Sequence, residues 1–239
     1  WTKQTDLPGP AQKLYLDPAS PRNNRTLYAI GFNFILVREG GTWDKRELPA
    51  GVLAITDASA GFPKGGEKPV IYILSGGGRR APSSLFVSRD GARSWEKSEL
   101  APDAQPAPRL EAVGCSPTSP ATAYLSYANL RTSEGPVFGV AKTTDSGRTW
   151  ELVRKESKEI APNVKDAYLS RQFGPGWGSN PLAIGVAPTD PNLVYTTDYG
   201  RTMRSTDGGE TWQAVYSKAT AEGTFMTTGI DVTTCYGVH

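Results

Sequence analysis

The sequence predicts an all-β fold, a β-propeller of four-stranded antiparallel blades, and three observations carry that expectation. First, an eight-residue phrase recurs. Residues 143–150 read T-T-D-S-G-R-T-W and residues 205–212 read S-T-D-G-G-E-T-W. Residues 88–95 read S-R-D-G-A-R-S-W, with Ala92 in a glycine's place, and residues 36–43 keep only Gly40, Thr42 and Trp43, with Arg38 where the aspartate belongs. Second, the closing tryptophans Trp43, Trp95, Trp150 and Trp212 stand roughly 50–60 residues apart, a spacing that marks repeat architectures. Third, glycine (26) and proline (19) make up close to a fifth of the 239 residues, and no sustained helical periodicity runs through them. Such a chain has many short strands and many turns.

Each phrase reads as a hairpin with a mechanical purpose. An aspartate at the third position accepts hydrogen bonds from nearby backbone N–H groups and fixes a tight turn. Glycine supplies the positive φ of the turn. The terminal hydroxyl residues bond back to the backbone, and the closing tryptophan opens the next strand and buries a large aromatic surface. Asp90, Asp145 and Asp207, with Gly147 and Gly209 and with Trp95, Trp150 and Trp212, are therefore read as structural.

Upstream of each phrase lies a proline-bearing turn leading into a strand, at residues 18–28, 117–124 and 188–195. Before the turns come short apolar runs at residues 14–16, 52–55, 112–115 and 182–186, the last three rich in Gly and Ala. Small residues suit an innermost strand near a crowded axis. The order within a blade is then inner strand, turn, second strand, third strand, aspartate hairpin, outer strand. Residues 158–170 could hold a short helix within a long loop. Residues 1–9 look like the closing tryptophan of a phrase and its outer strand, and residues 228–236 like another inner strand. The whole chain, 1–239, thus reads as a single propeller segment, with about four complete blades and partial blades at both ends, belonging to a larger ring. A compact ring of five blades, closed by both termini, is the alternative.

Composition narrows the chemistry. No run of 18 apolar residues predicts a membrane-spanning helix. The net charge is only +2 and dispersed, which argues against nucleic acid as a partner. Cys115 and Cys235 fall on expected inner strands two blades apart, too far for a disulfide, and read as small buried residues. His239 is the only histidine, so a Ser-His pair or a histidine-rich metal site is hard to assemble, and no cofactor and no metal are expected. The glycines at residues 76–78 lack the Lys-Ser/Thr of a phosphate loop and read as a surface hairpin.

The repeated phrase resembles the Asp-box, or BNR repeat, of sialidases, xyloglucanase-type endoglucanases, sortilin-like receptors and photosystem assembly factors. That resemblance implies a propeller whose boxes sit on the periphery, away from an active centre at one end of the axial channel. The loops at that end point to Arg109, Glu111, Trp177, Asn180, Tyr199 and Arg201 as ligand-binding candidates. Trp177, set among glycines and a proline, could stack on a sugar ring or cap the channel by packing on Phe173. Residues 195–212 resemble the T-D-x-G stretch of xyloglucanase-type enzymes, which implies a general acid or base at Asp198. Residues 229–231 resemble that family's glycine-hydrophobic-acidic element, which implies a second carboxylate at Asp231. The match departs from the family where Arg201 follows Gly200, a place the family gives to a second glycine. A sialidase is less supported, because its arginine element is absent; Arg109 follows Pro108 without the flanking aromatic.

The resemblance implies an extracellular or periplasmic protein, glycoside hydrolase-like, that acts on or binds plant or microbial polysaccharide. Further propeller blades, from the rest of the chain or from another chain, are the second expected partner. A non-catalytic binding or assembly module, sortilin-like or assembly-factor-like, is the alternative. Two carboxyls facing one open cleft would mark the hydrolase.

Overall fold

The computed structural model describes residues 6–76, 83–157, 161–165, 180–198, 201–215, 217–219, 221 and 225–227. The described residues form strands and turns, with no helix among them. Four antiparallel meanders follow one another. The first comprises β1 (Ala11–Leu16), β2 (Leu27–Gly31), β3 (Ile35–Glu39) and β4 (Thr42–Arg46). The second comprises β5 (Ile55–Gly61), β6 (Val70–Ser75), β7 (Ser84–Ser88) and β8 (Glu96–Ser98). The third holds β9 (Arg109–Cys115), β10 (Ala123–Thr132), β11 (Gly135–Thr143) and β12 (Glu151–Glu156). In the fourth, β13 (Val164–Lys165) lies outside a meander of β14 (Ala183–Val186), β15 (Val194–Thr197), β16 (Thr202–Ser205) and β17 (Trp212–Ala214). A short hairpin of β18 (Ser217–Ala219) and β19 (Phe225–Thr227) comes last.

The period-2 geometry of strands explains how the sheets stack. Ile71 and Ile73 of β6 pack toward the first sheet with Tyr28, Ile30, Ile35 and Val37. Their alternates Tyr72 and Leu74 pack toward the third sheet with Val113, Leu125 and Tyr127. Both faces of β6 are covered, so every residue in it is buried. A third core joins Tyr124 and Val140 to Val194, Met203 and Trp212. Each fully buried Ile or Leu in these seams contributes about 1.5–3 kcal/mol. The inner strands approach closely: Asp57 Oδ2 accepts the Val113 N–H at 2.9 Å and Ser59 Oγ accepts the Cys115 N–H at 2.9 Å. A Cβ at Gly114 would lie 2.8 Å from the Ile184 carbonyl oxygen, which is why a glycine stands there. Cys115 is a free, buried thiol pushed up to about 12 by burial, while Cys235 lies outside the described residues.

Three of the four phrases form one and the same hairpin. The first hydroxyl of each (Ser88, Thr143, Ser205) accepts the N–H four residues on, at 2.8, 2.9 and 2.8 Å. One aspartate oxygen accepts the N–H of Ser94, Thr149 or Thr211 at 2.9 Å in every case. The other accepts the hydroxyl of the same residue at 2.6, 2.6 and 2.5 Å. Two successive residues take left-handed backbone: Gly91 and Ala92 at φ 74° and 67°, Ser146 and Gly147 at 59° and 75°, Gly208 and Gly209 at 72° and 97°. Ala92 therefore keeps the geometry without a glycine, at a backbone cost of about 1–2 kcal/mol that its buried methyl partly offsets. Partial burial acts to raise the Asp90 carboxyl, but hydrogen bonds from Ser94, Ser88 and the Arg93 N–H outweigh it and bring the group to about 2. Asp145 and Asp207 are lowered by the same kind of bonds, also against partial burial.

The fourth match, residues 36–43, is not such a hairpin. Gly40 and Gly41, at φ 62° and 92°, close a two-residue turn, and β3 and β4 pair straight up to it through Glu39 and Thr42. Without an aspartate there is nothing to organise a longer loop.

The closing tryptophans of the three true hairpins reach back to the preceding sheet. Trp95 Nε1–H donates to the Glu47 carbonyl at 3.0 Å, Trp150 to Ser98 Oγ at 2.9 Å and Trp212 to the Val153 carbonyl at 3.2 Å. Second-strand tyrosines reach forward: Tyr72 donates to the Pro120 carbonyl at 2.7 Å and Tyr124 to the Pro191 carbonyl at 2.9 Å. Trp43 Nε1 is buried and has no acceptor among the described residues.

Other sequence expectations need correction. The inner strand of the second sheet begins at Ile55 and not at residue 52; Leu53 precedes it and is 86% exposed. Residues 161–165, inside the expected helix, instead make a turn and β13. The free edge of β17 offers backbone partners, and Val164 and Lys165 pair parallel with Trp212 and Gln213. Residues 6–9 carry no strand where an outer strand was expected. The run at 228–236 lies outside the described residues.

Candidate functional site

Two polar clusters lie at the end of the sheets opposite the aspartate hairpins. The first is buried between the third and fourth sheets. The third sheet's outer strand β12 presents alternate residues, Arg154 and Glu156, toward the fourth sheet. The turn joining β15 to β16 supplies Asp198 and Arg201. The Arg201 guanidinium is forked onto Glu156, Nη1 to Oε1 and Nη2 to Oε2, both at 2.8 Å. Its Nε donates to Asp198 Oδ2 at 2.9 Å, and its backbone N–H to Asp198 Oδ1 at 2.8 Å. Arg154 donates to Thr196 Oγ1 at 3.2 Å, lies 3.7 Å from Glu156 as an ion pair, and stacks over the Trp212 ring at 5.2 Å.

Two cations and two anions balance in this cluster. Burial lowers Arg154. Burial also opposes ionisation of Arg201 and Glu156, but the charges overrule it: Asp198 and Glu156 raise Arg201, and Arg201 with Arg154 lowers Glu156. Bidentate, charge-assisted bonds of this kind hold a turn rigidly.

Sequence reasoning expects Asp198 as an acid or base in an open cleft, with Arg201 as a ligand residue beside it. The structure instead buries both. Asp198 is 1% exposed and Arg201 5%. Their partner Glu156 comes from another sheet, which no local motif reveals. Tyr199, Trp177 and Asp231 lie outside the described residues.

The second cluster collects three of the expected ligand residues. Arg109 and Glu111 lie within β9, not ahead of it, and point the same way by strand alternation. Arg109 Nε is 3.0 Å from Glu111 Oε2, and Arg109 Nη2 donates to Asn180 Oδ1 at 3.3 Å. Asn180 is 4% exposed and donates to Ser126 Oγ at 3.2 Å, while Ser126 donates to the Pro181 carbonyl at 2.7 Å. The third sheet's inner edge is thereby tied to the start of the fourth.

Beside this cluster rises the hairpin of β10 and β11, whose strands are ten and nine residues long against four to six for the second and third strands of the other sheets. Its register slips between Tyr127 and Leu130. At that bulge Asn129 takes left-handed backbone, φ 58°, and turns outward. A hollow of about 300 Å³ is lined by Arg109, Asn129, Pro136, Phe138 and Asn180 among others. A second, of about 540 Å³, shares Asn129 and Pro136 and adds Pro106, Arg131 and Thr132. Sequence reasoning missed Asn129 and Arg131. The only signal was a polar residue breaking the apolar run of a long strand. Among the described residues no cluster of metal-ligating side chains occurs, and no helix is long and apolar enough to cross a membrane.

No protein-family model and no curated protein matches the sequence. Solved structures do match, and they define the class of fold: a β-propeller built of four-stranded antiparallel blades. The chain is similar to the GH74 xyloglucanase from Xanthomonas campestris, with TM-score 0.57 at 15% identity over 84% of this chain and 30% of that one. It is similar to a GH74 enzyme from Niastella koreensis, TM-score 0.57 at 12% identity, over 95% of this chain and 37% of that one. An ancestral GH74 enzyme matches with TM-score 0.51 at 15% identity, over 87% of this chain and 24% of that one. The chain thus spans between 24% and 37% of the length of these proteins.

Proposed function

We propose that this chain is part of an Asp-box propeller of the glycoside hydrolase-like kind, and that it binds plant or microbial polysaccharide outside the cytoplasm. The observation that carries the reading is the likeness to three GH74 propellers over 84–95% of this chain. The three aspartate hairpins, with their common hydrogen bonds, support the Asp-box assignment. In this reading Arg109, Glu111 and Asn180 belong to the glycan-facing end, with Trp177 and Tyr199 as further candidates. The bare face of the first sheet, where Leu14 and Leu16 are 66% and 46% exposed, takes a further blade from a longer chain or another chain.

A specific observation favours binding without hydrolysis. Inverting hydrolysis needs two available carboxyl groups about 6.5–9.5 Å apart. Asp198, the first candidate, is committed to Arg201; Asp231, the second, lies outside the described residues. The test is a panel of soluble plant and microbial polysaccharides, scored for both binding and release of reducing ends. The expected outcome is binding with no release. Release that is lost in a folded Asp198→Asn variant would establish the hydrolase instead. Failure to bind any polysaccharide would end the glycan reading.

A further inference from the structure

We propose that the two adjoining hollows beside the β10–β11 hairpin form a subsite for a carboxylate-bearing sugar, a uronic acid unit of a polysaccharide. The inference rests on the glycan reading and gives it a substrate class. Its evidence is the chemistry of the lining. Arg109 lines the smaller hollow and Arg131 the larger, and the exposed Asn129 lines both. Asn180 and Thr132 also line them, the first held by Arg109 and Ser126 and the second by the Gly135 carbonyl. Among the described residues no carboxylate lines either hollow. Of the acids close by in the fold, Glu111 is held by Arg109, and Glu134, in the turn between Thr132 and Gly135, lies 3.9 Å from Lys155 as an ion pair.

Arg131 is the informative residue. It is exposed, and its guanidinium has no hydrogen bond or ion pair among the described residues. The other arginines of this region, Arg109, Arg154 and Arg201, are each committed to a carboxylate. A free guanidinium fork near the exposed Asn129 suits bidentate capture of a carboxylate. The backbone at Asn129 supports the same end. Left-handed backbone in a non-glycine residue is uncommon, and here the bulge leaves Asn129 exposed in the lining of both hollows. Pro106, Pro136 and the half-buried Phe138 add the apolar walls against which a pyranose C–H face can lie. The volumes fall in the range of ligand sites, about 300–1,000 Å³.

The larger hollow at the opposite end, about 750 Å³, lacks this character. Lys64 and Lys68 share it with Glu67, and its Arg89 is already bonded to Glu96 and the Ser146 carbonyl.

The experiment uses the protein as it stands and measures binding of three probes at moderate salt: polygalacturonate, a neutral glucan of similar length, and poly-glutamate. Polygalacturonate is expected to bind at least tenfold more tightly than the other two. Arg131→Ala is expected to lower that affinity about tenfold, Arg131→Lys less. Asn129→Gly, which preserves the backbone, is expected to weaken it several-fold without a change in melting temperature. Equal binding of poly-glutamate, or an Arg131→Ala variant with unchanged affinity for polygalacturonate, overturns the subsite. Tight binding of the neutral glucan with none of polygalacturonate also overturns it, and leaves the polysaccharide reading standing. Binding of neither glycan removes both.

Discussion

The two ends of the sheets obey different rules. Where the third strand turns into the fourth, three hairpins repeat the same serine or threonine and aspartate bonds, and the partners of those bonds lie within eight residues. Where the second strand turns into the third, three turns differ in their described residues. One is the short hairpin at residues 32–34, one holds a buried aspartate–arginine pair, and one is the projecting β10–β11 hairpin with its bulge. The repeated end uses its polar groups on itself. The irregular end leaves polar groups over, and the candidate ligand site is there. Repetition in a fold of this kind marks architecture, and departure from repetition marks the place where individual chemistry can be added.

That contrast can be broken most sharply at Trp212. Its indole is fully buried, donates to the preceding sheet and carries Arg154 on its face. Trp212→Ala is expected to cost about 4–5 kcal/mol, the upper range for loss of a large buried aromatic. Trp95→Ala, at a half-buried ring with the same latch, is expected to cost clearly less. Denaturant unfolding of both variants measures the difference, and equal losses would mean that the latch bond, not burial, sets the strength of these junctions.

Next comes the irregular end. Asp198→Ala leaves Arg201 with one of its two carboxylates and is expected to cost about 3–4 kcal/mol, the scale for removing one partner of a buried ion pair. Denaturant unfolding reads this too, and a variant as stable as the parent would show that the cluster does not hold the fourth sheet in place.

The pH dependence probes the repeated end. Asp90, Asp145 and Asp207 are all held below the ordinary carboxylate value in the folded state, Asp90 at about 2. Their contribution is complete above the unfolded value of about 3.9 and is lost as pH falls through the folded value. The denaturant midpoint is therefore expected to drop between about pH 4 and pH 2, and Asp90→Asn to flatten part of that slope. An unchanged slope in that variant would assign the acid sensitivity elsewhere.

The smallest effect is expected at Ala92→Gly. Relief of the left-handed alanine is offset by the lost buried methyl and by a looser unfolded chain, so stability should shift by less than about 0.5 kcal/mol. A gain well above that would show that the alanine is tolerated under strain.

The fold was readable in the chain because its signals are local. The eight-residue phrase carries donors and acceptors for its own turn. The degraded match at residues 36–43 still marks a hairpin between third and fourth strands, in the shorter form that the missing aspartate leaves. Locality misled at residues 161–165, where pairing with β17 overrides any helical tendency.

The sites were only partly readable. Arg109, Glu111 and Asn180 are expected at the same end of the sheets, and the structure adds that Arg109 bonds both of the others. Asn129 and Arg131 escaped notice because a bulge is a property of two strands in register, which one strand's residues do not display.

What the amino-acid sequence determined by itself is the repeat: strand order and hairpin chemistry, written in contacts a few residues long or in a period of two. What only the tertiary structure decided is the use of the remaining polar groups. Arg201 meets Glu156 across 45 residues, and Arg109 meets Asn180 across 71. Those distances are closed by the packing of one sheet on the next, and burial then converts Asp198 from a free carboxylate into half of an ion pair. A side chain's chemistry depends on its solvent and its neighbours, and both are set after the strands have stacked.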